Sequence, residues 1–275
     1  MAEGFTRIIS DLHYGDRASR VKRLRQIAPL LDGPARLVVN GDALDTRLGA
    51  HPARTMALRD EVLDFFARES PPAQLLTGNH DNDISSLHAL DLAGGTVFVT
   101  HGDVLFDEIV PWGRDVPMIR RLMAEAWARR PADQRDSLEH RLQVMRSVAS
   151  RLPQRHQVEP NLWKYIGSYL SDTLWPPDRF LRSLRTWRAA PARAAALLQA
   201  HRPGARFAVL GHLHHPGVWT QPDGCVVINT GSFCPPLGGA VVDVYSDRLV
   251  VRRFREVRGE FRPEAVRAEF ALAAP

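Results

Sequence analysis

Five polar clusters in this sequence each follow an apolar run, and each contains residue types that bind metal ions or transfer protons. Their seven nitrogen and oxygen donors are Asp11, His13, Asp42, Asn79, His101, His212 and His214. The set contains no thiolate, so it suits Mn²⁺, Fe or Zn²⁺ better than a soft metal ion. A catalytic zinc ion normally takes three protein ligands, and seven donors therefore fit two ions that share a bridging carboxylate.

The central cluster is Gly78-Asn79-His80-Asp81, which follows the apolar run at 74–77. Asn79 offers an amide oxygen to a hard cation, His80 can carry a proton near neutral pH, and Asp81 can orient that histidine. Glycine, asparagine and aspartate are also common turn residues, so the cluster taken alone indicates a plain turn. Its chemical interpretation depends on the four other clusters.

Two of the clusters pair metal-binding residues at positions i and i+2, namely Asp11 with His13 and His212 with His214. In extended backbone this spacing places both side chains on one side, directed at a common point. For Asp11 and His13, an aspartate turn with a solvated histidine is the alternative. Between these pairs in sequence, Gly41 permits a tight turn that would hold Asp42 beside a strand end.

Apolar runs predict the strands that would position these clusters. They lie at 5–9, 36–40, 74–77, 96–100, 207–210, 225–229, 240–245 and 249–254. The first five end at the five clusters, in the place where open α/β sheets gather ligands. Helical spacing of apolar residues predicts helices over 17–31, 53–68 and 84–92. The polar and alanine-rich tail beyond 258 gives no prediction.

The segment 107–203 differs from the rest of the chain, with 17 Arg or Lys against 10 Asp or Glu and five of the six tryptophans. Apolar spacing over 119–127 and 162–174 predicts amphipathic helices, which prolines separate. We interpret the segment as a helical insert or cap between 1–106 and 204–275, which would form one domain. Arg182, Arg185 and Arg188 are spaced by three and would share a helix face beside Trp187.

The bulk composition is that of a globular protein. Of 275 residues, 44% are hydrophobic and 24% charged, and no apolar run approaches the roughly 20 residues that span a bilayer. The N-terminus lacks a basic stretch followed by an apolar one, so we expect a cytoplasmic protein. Cys225 and Cys234 are the only cysteines, and we expect buried free thiols.

Read in order, the clusters resemble the five-block signature of the calcineurin-like metallophosphoesterases. The matching blocks are Asp11-x-His13, Gly41-Asp42, Gly78-Asn79-His80-Asp81, His101 and Gly211-His212-x-His214. The resemblance covers residues 5–106 and 207–250. It implies an α/β fold of two mixed β-sheets packed face to face and flanked by helices. It also implies hydrolysis of a phosphate ester or pyrophosphate bond by a hydroxide that two divalent ions share, with manganese expected and iron or zinc as alternatives.

The resemblance also implies a role for each residue of the signature. One ion would be held by Asp11, His13, Asp42 and His214. The second would be held by Asp42, Asn79, His101 and His212, so that Asp42 bridges the two. His80 would be the general acid or charge stabiliser at the leaving oxygen, oriented by Asp81.

Several other polar residues have an open interpretation. Asp45 and Asp103 could contact the ligands or only form turns, Asn229 and Ser232 could line the site, and His215 lies next to the His212 pair but out of phase with it. The remaining histidines are interpreted as surface or packing residues: His51, His88, His140, His156 and His201.

The insert bears on which substrate is cleaved. Its position is similar to that of the helical cap in the UDP-2,3-diacylglucosamine hydrolases, which cut a pyrophosphate bond in a nucleotide-linked lipid. Tryptophan and arginine suit a lipid-linked or membrane-surface substrate and a peripheral membrane location. That subfamily has Arg where this chain has His80, which favours a general phosphoesterase instead. A metal-binding interaction scaffold without activity is a third hypothesis. No nucleic-acid partner is expected, and the oligomeric state is not predicted.

Overall fold

The computed structural model describes residues 4–154, 163–164 and 178–272. Within these residues the strands are β1 (Thr6–Ile9), β2 (Arg36–Asn40), β3 (Ala73–Leu76), β4 (Ala89–Leu92), β5 (Val97–Thr100), β6 (Phe207–Leu210), β7 (Gly217–Thr220), β8 (Val226–Asn229), β9 (Ala240–Val244), β10 (Arg248–Val257) and β11 (Glu260–Ala271). The helices are α1 (Ala28–Leu31), α2 (Pro52–Arg68), α3 (Val116–Ala128), α4 (Leu138–Ala149) and α5 (Asp178–His201). Short 3₁₀ turns cover Leu24–Ile27, Ala93–Gly95, Asp103–Leu105 and Ala132–Gln134.

The strands form two mixed sheets. The first has the order β11-β10-β9-β1-β2-β3, and the second has the order β4-β5-β6-β8-β7. Strands β1, β2 and β3 are parallel, as are β5, β6 and β8, whereas the outer strands pair antiparallel. The parallel strands are nearly all apolar because both of their faces are covered.

Alternate residues of these strands face different cores. Ile8 and Val38 of the first sheet pack with Val99 and Val209 of the second, which forms the core between the sheets. Their neighbours along the chain, such as Ile9, lie in a separate core under α1 and α2. Successive side chains of a strand point to opposite faces of the sheet, so each sheet contributes to two different cores.

Helices cover the outer face of the second sheet as well. Ala194 and Leu198 of α5 pack with Leu142 of α4 against Phe98 and Leu210 of the sheet. Helices α3 and α4 pack together in a separate hydrophobic cluster around Ile119 and Met145. The two mixed sheets flanked by helices that the resemblance implied are therefore confirmed, and α5 serves as part of the flanking layer.

The structure corrects two helix predictions. Residues 84–92 are not a helix, since Ala89–Leu92 is strand β4, whose backbone pairs with β5. The helix expected over 17–31 is confined to Leu24–Leu31. Before it, the Asp16 side chain accepts the backbone N–H of Ala18 and the Ser19 hydroxyl donates to a carbonyl, so local side-chain bonds replace helical ones.

Two strands besides β4 were not predicted, and part of the predicted insert lies outside the described residues. These are β7 and the long β11, most of whose residues are exposed, so that its apolar residues form no continuous buried run. The predicted helix over 162–174 lies outside the described residues apart from 163–164. Cys225 and Cys234 are buried free thiols, as expected. Among the helices that the structure describes, none is long and apolar enough to cross a membrane.

A buried ion pair joins β1 to β9. The Arg7 guanidinium donates from Nε to Oδ1 of Asp243 at 2.6 Å and from Nη2 to Oδ2 at 2.8 Å, and its Nη1 donates to the carbonyl of Leu30 at 2.8 Å. Both side chains are buried. Removing one partner of such a pair leaves a charge without compensation, which costs far more than losing an exposed pair.

We expect Asp243→Ala to lower the free energy of unfolding by about 3–5 kcal/mol, because the buried Arg7 guanidinium loses its carboxylate partner. Urea denaturation measures the change. The matched control is Arg255→Met, which breaks the exposed pair with Glu264 at 3.4 Å and should cost less than about 1 kcal/mol. Equal destabilisation by the two variants would contradict this account of the buried pair.

Candidate metal centre

The five polar clusters meet at one edge of the sandwich. They follow β1, β2 and β3 of the first sheet and β5 and β6 of the second. Backbone hydrogen bonds tie neighbouring loops together: Asp11 N donates to Gly41 O at 3.1 Å, and Gly211 N donates to His101 O at 2.8 Å. Polar side chains remote in sequence thus converge because parallel strands end at the same edge.

Five of the predicted ligands have left-handed backbone, at φ between 47° and 66°: Asp11, His13, Asp42, His212 and His214. The extended conformation that we expected for the i, i+2 pairs is therefore wrong, although both members of each pair do reach the site. Aspartate and histidine tolerate this region better than most residues, yet it costs free energy. Such conformations cluster at functional sites, where the surroundings hold them in place.

A first group of donors consists of Asp11, His13 and His214, whose ligand atoms lie within 4.8 Å of one another. The Nε2 atoms of the two histidines are 2.9 Å apart. Oδ1 of Asp11 lies 3.3 Å from Nε2 of His214 and 3.8 Å from Nε2 of His13. His214 is the most exposed of the three, so the group opens toward solvent on its side.

A second group consists of Asp42, His101 and His212, which are all buried. Asn79 joins it, with its Oδ1 atom 3.2 Å from Nε2 of His101. Oδ2 of Asp42 lies 3.3 Å from the same nitrogen and 3.8 Å from Nε2 of His13 in the first group. Asp42 is thus the carboxylate between the two groups.

In His101 and in His212, a backbone carbonyl binds one ring nitrogen and so determines which nitrogen faces the second group. Nδ1 of His101 donates to Asn40 O at 3.0 Å, and Nε2 of His212 donates to Ile109 O at 2.8 Å. A carbonyl only accepts, so each ring presents its other nitrogen as a lone pair. At His101 this lone pair faces the oxygens of Asp42 and Asn79, and only a cation or an added proton can satisfy all three. The residues present therefore fit divalent ions.

The pKa shifts of the donor side chains also indicate that a positive charge is favoured at this site. Burial would lower the pKa of His13, but its hydrogen bond with Asp11 and the charge of Asp42 raise that pKa to about 9. Burial would raise the pKa of Asp42, but the charges of His101 and His80 hold it well below its usual range. The Asp42 carboxylate thus stays ionised and attracts cations.

His80 lies beside the two donor groups. Its ring is held by Arg47 and Asp45 and not by Asp81, which we had predicted. Its Nδ1 atom lies 2.8 Å from Nη2 of Arg47 and 3.0 Å from Oδ2 of Asp45. The Asp45–Arg47 pair is itself bidentate, with contacts of 3.0 and 2.7 Å, and both side chains are buried. Burial and the charge of Arg47 lower the pKa of His80.

The predicted contact between Asp81 and the His80 ring is wrong. The Asp81 carboxylate accepts backbone N–H groups of Gly78 at 2.7 Å, Asp42 at 3.0 Å and Ala43 at 2.7 Å. It joins the loop after β3 to the loop after β2. The residue is too short to reach both sets of partners, and three amide donors satisfy a buried carboxylate. Asp81 thus holds Asp42 in position.

Of the residues left open by the sequence, Asp45 contacts His80 directly. Asn229 and Ser232 bind the backbone of the site instead of lining it: Asn229 Nδ2 donates to Gly211 O at 2.5 Å, and Ser232 Oγ donates to Asp11 O at 3.2 Å. The Asp103 side chain accepts the backbone N–H of Val104. His215 stacks on a tryptophan outside both donor groups.

Two functional contacts were missed. Arg47 stands in a polar loop where arginine is common, and no spacing singles it out. Ile109 acts through its backbone carbonyl, which a sequence pattern cannot reveal.

Close packing around Asp42 explains the glycines of the signature. A Cβ at Gly41, which has φ of 77°, would lie 2.5 Å from Nδ1 of His101, and one at Gly78 would overlap the Asp42 carboxylate. Both positions therefore require glycine if Asp42 and His101 are to approach each other.

A cavity of about 500 Å³ adjoins the donor groups. Its apolar wall consists of Val110, Trp112, Ile119, Leu152, Phe180, Trp187, Leu213 and Leu237. Arg47, His80 and Asp42 also line the cavity, as do Arg114 and Arg179. A ligand there would contact both metal donors and apolar side chains.

The comparisons with known proteins agree with this geometry. The model of the calcineurin-like phosphoesterase family matches residues 7–216. This chain therefore belongs to the calcineurin-like phosphoesterase family, as the five clusters had indicated. A search of curated proteins gave no match.

Solved structures of similar fold include three from different organisms. A predicted phosphoesterase from Streptococcus pneumoniae is 13% identical, with 98% of this chain and 99% of that chain covered and a TM-score of 0.38. A dimetal phosphatase from Danio rerio is 16% identical, with 94% and 98% covered and a TM-score of 0.43. Vps29 with zinc from Entamoeba histolytica is 11% identical, with 98% and 99% covered and a TM-score of 0.42.

Proposed function

We propose that this protein is a phosphoesterase that depends on two divalent metal ions, with manganese as the first candidate, and that it hydrolyses a phosphate ester or pyrophosphate bond. The observation that carries the proposal is the position of Asp42, whose Oδ2 atom faces Nε2 of His101 and Nε2 of His13 from two separate donor groups. A shared carboxylate between two groups is what a pair of ions requires.

The ligand assignment follows the two donor groups. Asp11, His13 and His214 would hold one ion and Asn79, His101 and His212 the other, with Asp42 shared. Two such ions supply a nucleophile at neutral pH and neutralise the charge of the phosphoryl oxygens. The protein contributes by fixing the donors, through the carbonyls of Asn40 and Ile109 and the amides that bind Asp81.

His80 is the proposed general acid. Arg47 has only donors, so when its Nη2 bonds Nδ1 of His80, the proton of that ring resides on Nε2. To act as general acid the ring first takes up a second proton at Nδ1; the imidazolium then transfers its Nε2 proton to the leaving oxygen and returns to neutral imidazole. When the ring is charged, its Nδ1–H can donate a hydrogen bond to Oδ2 of Asp45. Arg47 therefore stabilises the neutral ring and Asp45 the charged ring.

A narrower hypothesis, cleavage of a nucleotide-linked lipid in the manner of the UDP-2,3-diacylglucosamine hydrolases, has one observation in its favour. The wall of the cavity beside the donors is mainly apolar, with Trp112, Phe180 and Leu237 among its residues. An apolar part of a substrate would lie there at little cost. Faster turnover of acylated than of unacylated substrates would support this hypothesis.

Metal removal tests the proposed function. We expect chelation to abolish hydrolysis of p-nitrophenyl phosphate and of its diester, and Mn²⁺ to restore it, with two ions bound per chain by elemental analysis. Zinc and iron serve as parallel additions. Metal bound at the same stoichiometry without turnover of any phosphate ester would contradict the proposal and favour an interaction scaffold.

A further inference from the structure

A second cavity, of about 440 Å³, lies next to the metal-binding one and is lined by arginine. Its five arginines are Arg114, Arg120, Arg179, Arg182 and Arg185. Glu108 is the single acidic residue of the lining. We call this the arginine cavity. Five cations around one concave surface raise the local concentration of anions, because the surrounding protein focuses their field.

The fold creates the arginine cavity by placing two helices side by side. Arg179, Arg182 and Arg185 are spaced by three along α5 and therefore lie on one face of it. The first turns of α3 supply the opposite wall, through Val116 and Arg120. A basic face of a surface helix usually only meets solvent, whereas this face closes a cavity against a second helix.

The carboxylates in and beside the cavity do not balance its charge. Glu108 pairs with Arg120 at 2.9 Å, and Asp178 pairs with Arg182 at 2.9 Å. Counting also Asp115, the chain neighbour of Arg114, the carboxylates among the described residues leave an excess of two positive charges over the five guanidinium groups. Such an excess in a partly enclosed space favours a bound anion.

Arg182 supplies an independent indication of a ligand. Its Nε atom is buried and, among the residues that the structure describes, has no hydrogen-bond partner. A buried donor without an acceptor is unfavourable, so an oxygen-rich ligand would gain by meeting it. Phosphate suits this position because guanidinium groups bind its oxygens in pairs.

The arginine cavity is continuous with the cavity at the metal donors. Gly113, Arg114 and Arg179 line both. Trp112 and Phe180 of the apolar wall adjoin the shared residues Gly113 and Arg179 in the chain, and the Trp112 ring lies 5.4 Å from the ring of His212 in the second donor group. A ligand that filled both cavities would therefore carry an anion at each end of an apolar segment.

From this arrangement we propose that the substrate carries a second phosphoryl group, which the arginine cavity binds while the scissile phosphoryl group lies at the metal donors. The apolar segment between the two groups lies along Trp112 and Phe180. This inference rests on the proposed phosphoesterase function and defines its substrate class as esters with two separated phosphoryl groups. Arg182 and Arg185 are binding residues for the group that is not cleaved.

The kinetic test compares linear alkanediol bisphosphates of increasing chain length with the matched alkyl monophosphates, using the manganese-loaded enzyme. For at least one chain length, the bisphosphate should have a KM about tenfold lower than its monophosphate, since charge-assisted hydrogen bonds form only with the second group. Arg182→Met and Arg185→Met should each remove most of this preference. Arg188→Met, on the same helix but outside the lining, should preserve it.

A binding measurement separates this inference from the proposed function. In the presence of a chelator, inorganic phosphate should bind the full chain by calorimetry, and Arg185→Met, an exposed position that the fold tolerates, should weaken this binding about tenfold. Phosphate binding without turnover of any ester would refute the proposed function and leave the anion site standing. Turnover without any bisphosphate preference, or phosphate binding that Arg182→Met and Arg185→Met leave unchanged, would overturn the second phosphoryl site.

Discussion

Asp42→Asn is expected to lower phosphoesterase turnover by about 10³-fold or more, the largest effect of any single substitution that we propose. The substitution keeps the shape of the side chain but removes the charge that both donor groups face, at 3.8 Å from His13 and 3.3 Å from His101. An amide cannot bridge two cations as a carboxylate does. We therefore expect metal content to fall together with activity, measured by elemental analysis and by ester hydrolysis on the same sample.

The matched control for this change is Asp91→Asn, which alters an exposed carboxylate paired with Arg202 at 3.3 Å. It should leave both metal content and turnover within a factor of about two, as for most surface substitutions. Retention of two ions and of wild-type turnover by Asp42→Asn would refute the central position of this carboxylate. Thermal unfolding of the metal-free proteins checks that both variants are folded.

His80→Ala is expected to retain its metal ions and to lose about 10²–10⁴-fold in turnover, the range typical of a general acid. Metal retention is expected because the link between His80 and Asp42 runs through the backbone: the His80 N–H donates to Oδ1 of Asp42 at 2.8 Å and survives the substitution. The hydrogen bonds of the imidazole go to Arg47 and Asp45, neither of which belongs to the two donor groups, and its one ring contact with a donor is an edge contact with His13 at 5.1 Å between centroids.

The leaving group gives this second prediction a signature that a structural role would not produce. A p-nitrophenolate leaves without protonation, whereas an alkoxide needs a proton, so alkyl esters should lose far more turnover than p-nitrophenyl esters. His51→Ala, at an exposed position before α2, is the matched control and should change neither substrate. Equal losses on both kinds of ester would contradict the role of His80 as proton donor.

The two variants together separate metal binding from proton transfer. Asp42→Asn should lose metal and activity together, and His80→Ala should lose activity alone. A loss of metal in both would indicate that the His80 loop serves only to hold the Asp42 carboxylate. In that case His80 would support the position of Asp42, as Asp81 does, and would not transfer a proton.

Sequence analysis was most successful where a local pattern and a buried strand coincide. The strand at 36–40 was predicted with its bounds, and those at 5–9 and 96–100 within one residue, because strands covered on both faces are continuous apolar runs. It failed at 84–92 and beyond 258. Strand β4 is short and β11 is exposed along most of its length, so each depends on pairing with a partner strand that the local sequence does not reveal.

The types of donor in the site, their positions after strands and their suitability for hard or borderline cations could all be inferred from the amino-acid sequence. These properties are local, since a strand and the turn after it are encoded within a few residues. The hydrogen-bond partners of the side chains became known only from the folded structure. It assigned Asp81 to backbone amides, gave His80 to Arg47 and Asp45, and placed the arginines of α5 against α3. Side-chain partners depend on distances between loops remote in sequence, and those distances exist only after the two sheets have packed.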